Sequence, residues 1–301
     1  MGFASINELI QAENNGQTEY SAFILRCILA SYSSGVFYDS SILSGPGPVF
    51  SYSGKQCAFN SATMTQFGGI PHALPKFGIN EYIRKFGIAA NFICNAYIQM
   101  VDVVGFYSGI SLNAQATINM DNTDGLTRCL SDKNLQIIAI LQSDVDVNAN
   151  VCFTINYTNQ DGVSGCQSSL VKSNVGSTKR GQVFNSAATN FAGSAGGNLF
   201  IPLQAGDSGV KSIQSLTITP DGVTTYGNIT LAIVKPVLTT IITHGSSNMS
   251  SYMVYTEVDF FKDHNVMPYI EPDALLIPFI NQSIATTAGN TFMCELQTVW
   301  E

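Results

Sequence analysis

Val151-Cys152-Phe153-Thr154-Ile155-Asn156-Tyr157 alternates apolar and polar residues without a break. An extended chain turns successive side chains to opposite faces, so the odd positions here predict a buried face and the even positions a wet one. Asn159-Gln160-Asp161-Gly162 follows as a turn, in which Asp tolerates the required backbone and Gly supplies positive φ. Outward from this stretch, Phe92 to Tyr107 reads as a long strand or a strand pair. Ala116 to Met120, Leu135 to Leu141, Ser212 to Thr219 and Ile229 to Lys235 read as single strands, punctuated by Asp124-Gly125, Asp221-Gly222 and Tyr226-Gly227-Asn228. Many strands with such turns and no long helix predict an all-β fold, an antiparallel β-sandwich or jelly-roll-like body.

Toward the start, Ser5-Ile6-Asn7-Glu8 has the S-x-x-E capping-box pattern, and Asn14-Asn15-Gly16 stops the helix it opens. Ile6, Leu9 and Ile10 give this helix a small apolar face, which suits an arm docked on a neighbour or on the sandwich's own edge. Between 20 and 90 the pattern loosens into long loops with short strands. Phe23 to Tyr32 reads as a strand, while Ser44-Gly45-Pro46-Gly47-Pro48 and Gly68-Gly69-Ile70-Pro71-His72 read as loops. Residues 182–198 read as a low-complexity surface connector. Lys235-Pro236 is expected to end one strand, with Val237 to Ile242, Met253 to Phe261, Ala274 to Ile280 and Phe292 to Trp300 as further strands. The expected organisation is therefore an arm at 1–19, a loop-rich segment at 20–90 and one sandwich body at 91–301, which 236–301 completes.

Charged residues are only 11% of the 301, against roughly 25% in ordinary domains, while hydrophobic residues stay at 45%. Ser, Thr, Asn, Gln and Gly take up the difference. Neutral polar groups cost less to bury than ions, so this composition suits a subunit that lies against other protein. The net charge of −8 disfavours a nucleic-acid partner. The apolar runs, such as Ile137 to Leu141, are far short of the roughly 20 residues a membrane helix needs, and Met1 to Ser5 lacks the basic and apolar regions of a secretory signal. The seven cysteines are odd in number, irregularly spaced and without C-x-x-C, which predicts free thiols made in a reducing compartment.

No reactive constellation emerges. His72, His244 and His264 form no metal-binding pair. Asp259 and Asp263 flank His264, but the expected setting is a polar loop after a strand ending at Phe261. Asp144-Val145-Asp146 is half a calcium loop without its completion, Thr243-His244-Gly245-Ser246-Ser247 lacks a hydrolase context, and Gly193 to Gly197 lacks that of a phosphate loop. The tyrosines at 52, 82, 97, 157, 252, 255 and 269 and the Phe106-Tyr107 pair suit cross-strand packing, with a sugar-stacking surface as the alternative. No catalytic residue, metal ligand or cofactor is expected.

Several segments resemble a group of tailed-bacteriophage virion proteins. They are Ser5 to Ile10 with Asn15-Gly16-Gln17, Gly68 to His72, Met100-Val101-Asp102-Val103-Val104-Gly105-Phe106-Tyr107, Asn156 to Asn159, Phe200 to Ser215, Leu231 to Leu238 and Phe292 to Trp300. Val299 stands where that group usually has glycine before the final Trp. The resemblance implies a noncatalytic virion structural protein, made in the host cytoplasm and mounted on the particle. A decoration or cement subunit on the outer capsid is the expected role, with the major capsid protein and further copies of itself as partners. Tail or baseplate subunits and host-glycan-binding modules are the alternatives. Phe3, Ile6, Leu9, Ile10, Pro46, Pro48, Ile70 and Pro71 are the expected docking contacts, and removal of residues 1–18 is expected to leave the body folded.

Overall fold

The structure, a computed structural model, describes residues 3, 5–26, 31–32, 37–39, 56–58, 70–72, 80–90, 96–113, 116–142, 152–172, 181–184, 198–219, 227–242, 254–264, 266–282, 286–287 and 291–301. Helix α1 (Ile6–Asn14) leads into β1 (Thr18–Arg26), β2 (Ser31–Tyr32), β3 (Phe37–Asp39), β4 (Gln56–Ala58), β5 (Ile70–His72) and β6 (Glu81–Ala90). Then come β7 (Ala96–Ser111), β8 (Thr117–Asn119), β9 (Gln136–Leu141), β10 (Cys152–Asn159), β11 (Cys166–Gln167), β12 (Val171–Lys172) and β13 (Val210–Thr219). The chain continues through β14 (Asn228–Ile242), β15 (Val254–Asp259), α2 (Phe260–His264), β16 (Tyr269–Ile270), β17 (Ala274–Gln282), β18 (Thr286–Thr287) and β19 (Thr291–Trp300). The protein is all-β, with antiparallel sheets packed as a sandwich and a short N-terminal helix, as its sequence predicts.

The middle layer runs β3-β17-β7-β14-β9. Its two edges are joined by the short segment Gly181–Phe184. On one side the Leu141 amide donates to the Gln182 carbonyl at 2.8 Å and the Phe184 amide to Ala139 at 2.8 Å. On the other, the Asp39 amide donates to Gly181 at 2.8 Å and Val183 to Phe37 at 2.9 Å. The sheet thereby closes into a small barrel, which removes its edges. Phe37, Val101, Val103, Phe106, Ile138, Ile140, Val183, Ala232, Val234, Leu275, Ile277 and Phe279 form one buried cluster from all six members of the ring.

Two further sheets cover the outside of this barrel. The β11-β10-β13-β8 sheet packs Phe153, Ile155, Tyr157, Ile213, Leu216 and Ile218 against Val104, Ile137, Ala139, Leu231 and Ile233. The β1-β19-β6-β15 sheet packs Ile83, Phe86, Ile88, Leu296 and Val299 against Ile98, Met100, Leu276 and Ile280. Barrel strands are thus buried on both faces, and Ile137 to Leu141 is apolar throughout for that reason. β10 has one face in the core and one in water, so it alternates strictly: Phe153, Ile155 and Tyr157 are buried and the residues between them half-buried. Each such aromatic or branched side chain contributes about 1.5–3 kcal/mol on burial.

Four readings of the sequence change. Lys235-Pro236 does not end a strand. β14 runs through it, because β9 stops pairing at Val234 and the register against β7 shifts between Pro236 and Leu238, so the proline lies at an edge and a bulge. The connector at 182–198 begins as the barrel-closing segment, with Gln182, Val183 and Phe184 all buried; residues 185–197, including Gly193 to Gly197, lie outside the described residues. Within the loop-rich segment, β6 lies between β19 and β15, and β1 pairs with β19 along its full length. Met253 to Phe261 is not all strand: β15 ends at Asp259, whose carboxylate accepts from the Lys262 amide at 2.9 Å and caps α2.

Candidate functional site

Ser5 caps α1, its hydroxyl accepting from the Glu8 amide at 3.3 Å, and Asn15 closes it. The helix has two apolar stripes. Leu9 and Ala12 face inward and join the cluster of Tyr82, Phe86 and Val299, with Phe3 packed beside them and its ring 6.3 Å from that of Tyr82. Ile6 and Ile10, one turn apart, face outward and are 56% and 46% exposed. Arg84 on β6 fastens the helix, donating to Glu13 at 3.3 Å and pairing with Asp259. The Trp300 amide donates to the Gln17 carbonyl at 3.0 Å. The arm is therefore docked on the chain's own sheet, and Leu9 belongs to the core. Removing residues 1–18 would open that cluster, so the expectation that the body tolerates the deletion does not survive this geometry. Ile70 and Pro71 lie in β5, paired to Leu276 and Leu275 of β17; Pro46 and Pro48 lie outside the described residues.

A seam of buried and half-buried charges runs along β7 and β14 of the barrel. Asp102, 1% exposed, stands on β7 opposite Lys235 on β14 and Leu276 on β17. Arg128, from the long β8–β9 connection, grips its carboxylate with both terminal nitrogens, one at 2.6 Å, and also donates to the Val103 carbonyl. The Leu275 amide donates to the same carboxylate at 2.9 Å. Burial pushes the Asp102 carboxyl up, while Arg128 and the Leu275 amide oppose that shift. Burial likewise works against the Arg128 charge, but Asp102 outweighs it and holds the guanidinium protonated. Lys235 adds a second tie, 2.7 Å from Glu271 and 3.0 Å from Asp132. In the sequence Asp102 stands out only as one residue of the Met100 to Tyr107 segment. Its place inside Val101-Asp102-Val103-Val104 was the available signal, since a carboxylate in so apolar a run requires a buried partner; nothing local nominates Arg128.

A second polar latch joins two sequence segments that are far apart. The Tyr157 hydroxyl donates to Asp207 at 2.7 Å and Asn159 donates to the other carboxylate oxygen at 2.8 Å, while the Gln204 amide donates to Tyr157 at 2.8 Å. Gln160 accepts from the Ser208 and Gly209 amides at 3.0 and 3.1 Å. Gly209 has to be glycine, because a Cβ there would sit 2.7 Å from the Lys133 carbonyl carbon. Tyr157 first, then Asn159, holds Asp207 below the usual carboxylate range. A depressed folded-state value means stability that is complete above the unfolded aspartate value of about 3.9 and is lost as pH falls through the folded one. On acidification below about pH 4, the wild-type melting temperature should fall faster than that of Asp207→Asn. Parallel acid limbs would remove the latch from the pH response.

The remaining candidates form no reactive centre among the described residues. His264 is on α2 after all, but its ring lies 5.9 Å from that of Phe260, and Asp263 accepts from the Asp259 amide rather than orienting the imidazole. Cys129, Cys166 and Cys294 are free thiols. Burial first, then Asp102, pushes the Cys129 thiol up to about 12, so it stays protonated at neutral pH. His72 is in β5, and His244, Asp144, Asp146, Tyr52 and Tyr252 lie outside the described residues. Tyr82, Tyr107 and Tyr157 are buried in the core. No helix among the described residues is long and apolar enough to cross a membrane.

These features define a class: an all-β protein whose closed barrel is flanked by two sheets and stapled by buried polar ties. Neither a family model nor a curated protein matches the chain. A solved structure of infectious bursal disease virus, Gt strain, aligns with 93% of this chain and 78% of that one, at 9% identity and a TM-score of 0.18. A likeness that slight carries no argument about fold or role.

Proposed function

We propose that this chain is a noncatalytic structural subunit of a tailed-phage virion, seated on the outer capsid as a decoration or cement protein. The observation that carries this reading is the divided helix α1. Its inner stripe anchors it to the β1-β19-β6-β15 sheet, while its outer stripe leaves Ile6 and Ile10 in water on a rigid support. Preorganised apolar contacts of this kind bind at lower entropic cost than a loose arm. The weakly charged composition and the resemblance of Met100 to Tyr107, Asn156 to Asn159 and Phe200 to Ser215 to virion proteins support the same reading. Those three segments supply Asp102, Tyr157 and Asp207, the groups that staple the frame. The major capsid protein and sister copies are the partners, and synthesis takes place in the host cytoplasm.

The double variant Ile6→Asp/Ile10→Asp should lose particle binding, by more than about tenfold in affinity, and stay within about 0.5 kcal/mol of wild-type stability. Leu9→Ala should show the converse, a loss of about 2–5 kcal/mol in stability. Sedimentation with purified particles and urea melts measure the two effects. Unchanged binding by the double variant would remove α1 from the interface. Cryo-electron microscopy of the intact particle tests the location: density on the capsid lattice is expected, and density confined to the tail would replace the decoration role with a tail or baseplate one.

A further inference from the structure

The outer face of the β1-β19-β6-β15 sheet carries a shallow, open cleft of about 80 Å³, lined by Tyr20, Lys85, Gly87, Glu257, Glu295 and Gln297. Strand register accounts for this set. Tyr20, Gln297 and Lys85 form one cross-strand row, and Glu295, Gly87 and Glu257 form the next. Tyr255 starts opposite Ala89 and leans over the glycine, where its phenol end occupies the space of a side chain. A Cβ on Gly87 would sit 2.8 Å from its Cζ. Its hydroxyl donates to Glu257 at 2.9 Å, and the Lys85 ammonium lies 3.2 Å from the same carboxylate.

Two features of this cleft point to a ligand. Tyr255 and Tyr20 are 52% and 64% exposed, although each is large enough to have been a core residue. Gln297 is only 5% exposed, and its amide oxygen meets no hydrogen-bond partner among the described residues. A buried, unsatisfied amide costs about 1–3 kcal/mol unless a ligand or water completes it. Half-exposed aromatic rings beside an amide, an ammonium and two carboxylates match a ligand with apolar C–H faces and many hydroxyls. Two carboxylates against one ammonium, on a chain of net charge −8, disfavour acidic sugars.

We propose that this cleft binds a neutral oligosaccharide, with Tyr255 and Tyr20 against its C–H faces and Gln297, Glu257, Glu295 and Lys85 on its hydroxyls. Tyr255 and then Lys85 hold Glu257 below the usual carboxylate range, so it meets a sugar hydroxyl as an acceptor. The proposal does not rest on the capsid reading, because this face is separate from the outer stripe of α1.

The test is titration of the full chain with maltohexaose, cellohexaose, chitohexaose and mannohexaose, followed by calorimetry and by tyrosine fluorescence. At least one should bind by millimolar concentration. Tyr255→Ala should weaken that binding by about tenfold or more. Gly87→Ala, whose new methyl group must displace the phenol end, should weaken it comparably, with both melting temperatures unchanged. Failure of all four sugars to bind, or binding indifferent to either variant, would overturn the proposal. Neither result would touch particle binding through Ile6 and Ile10.

Discussion

Arg128→Met is expected to lower stability by about 3–5 kcal/mol, the usual loss when one partner of a buried ion pair is removed. Methionine keeps much of the stem's packing, so the effect isolates the charge. Without the guanidinium, Asp102 stays 1% exposed on the middle strand of the barrel, with the Leu275 amide as its remaining close donor. The Val103 carbonyl also loses its bond from the guanidinium. The fold then has to hold a desolvated carboxylate or protonate it. Asp102→Asn/Arg128→Met should regain most of the loss, because the amide oxygen still accepts from Leu275 and carries no charge. Urea melts of the wild type and both variants measure this. A single variant within about 0.5 kcal/mol of wild type would show that the seam is not held by this pair.

Val183→Asp is expected to abolish cooperative folding. Val183 is fully buried among the barrel residues, and its amide bonds to Phe37 while its neighbours bond to β9. An unpaired carboxylate at this position has no donor to meet and costs several kcal/mol, comparable to the total stability of many domains. The contrast with a surface connector is sharp, since a connector would absorb the same substitution within about 0.5 kcal/mol. Circular dichroism and a thermal melt distinguish the two. A cooperative melt near the wild-type temperature would mean that Gly181–Phe184 does not close the barrel.

The difference between these two sites shows what local sequence can and cannot carry. At Val151 to Tyr157 the alternation specified both the strand and its buried face, because one side of β10 stays wet. At Gln182-Val183-Phe184 three residues are too few to show a period, and the Asn, Ala, Gly and Ser that follow have the composition of a linker. Pro236 misled for a related reason: the rule that proline leaves sheets holds for paired central positions, and only the register shows that β9 has already ended there. Of the expected docking contacts, Ile6 and Ile10 face water, whereas Leu9 faces the core. A helix of nine residues with apolar positions 6, 9 and 10 does not say which stripe finds a partner.

By itself the sequence determined the all-β class, the antiparallel turns, the capped N-terminal helix and most strand positions. Each of these follows from side-chain period and from backbone preferences within a few residues. Tertiary structure alone decided the barrel closure, the Asp102–Arg128 seam, the Tyr157–Asp207 latch and the Gly87 cleft. In the seam the partners of Asp102 lie 26 and 173 residues away, at Arg128 and Leu275. Alternation tells a strand which face is apolar. It does not tell the strand which other strand will cover that face.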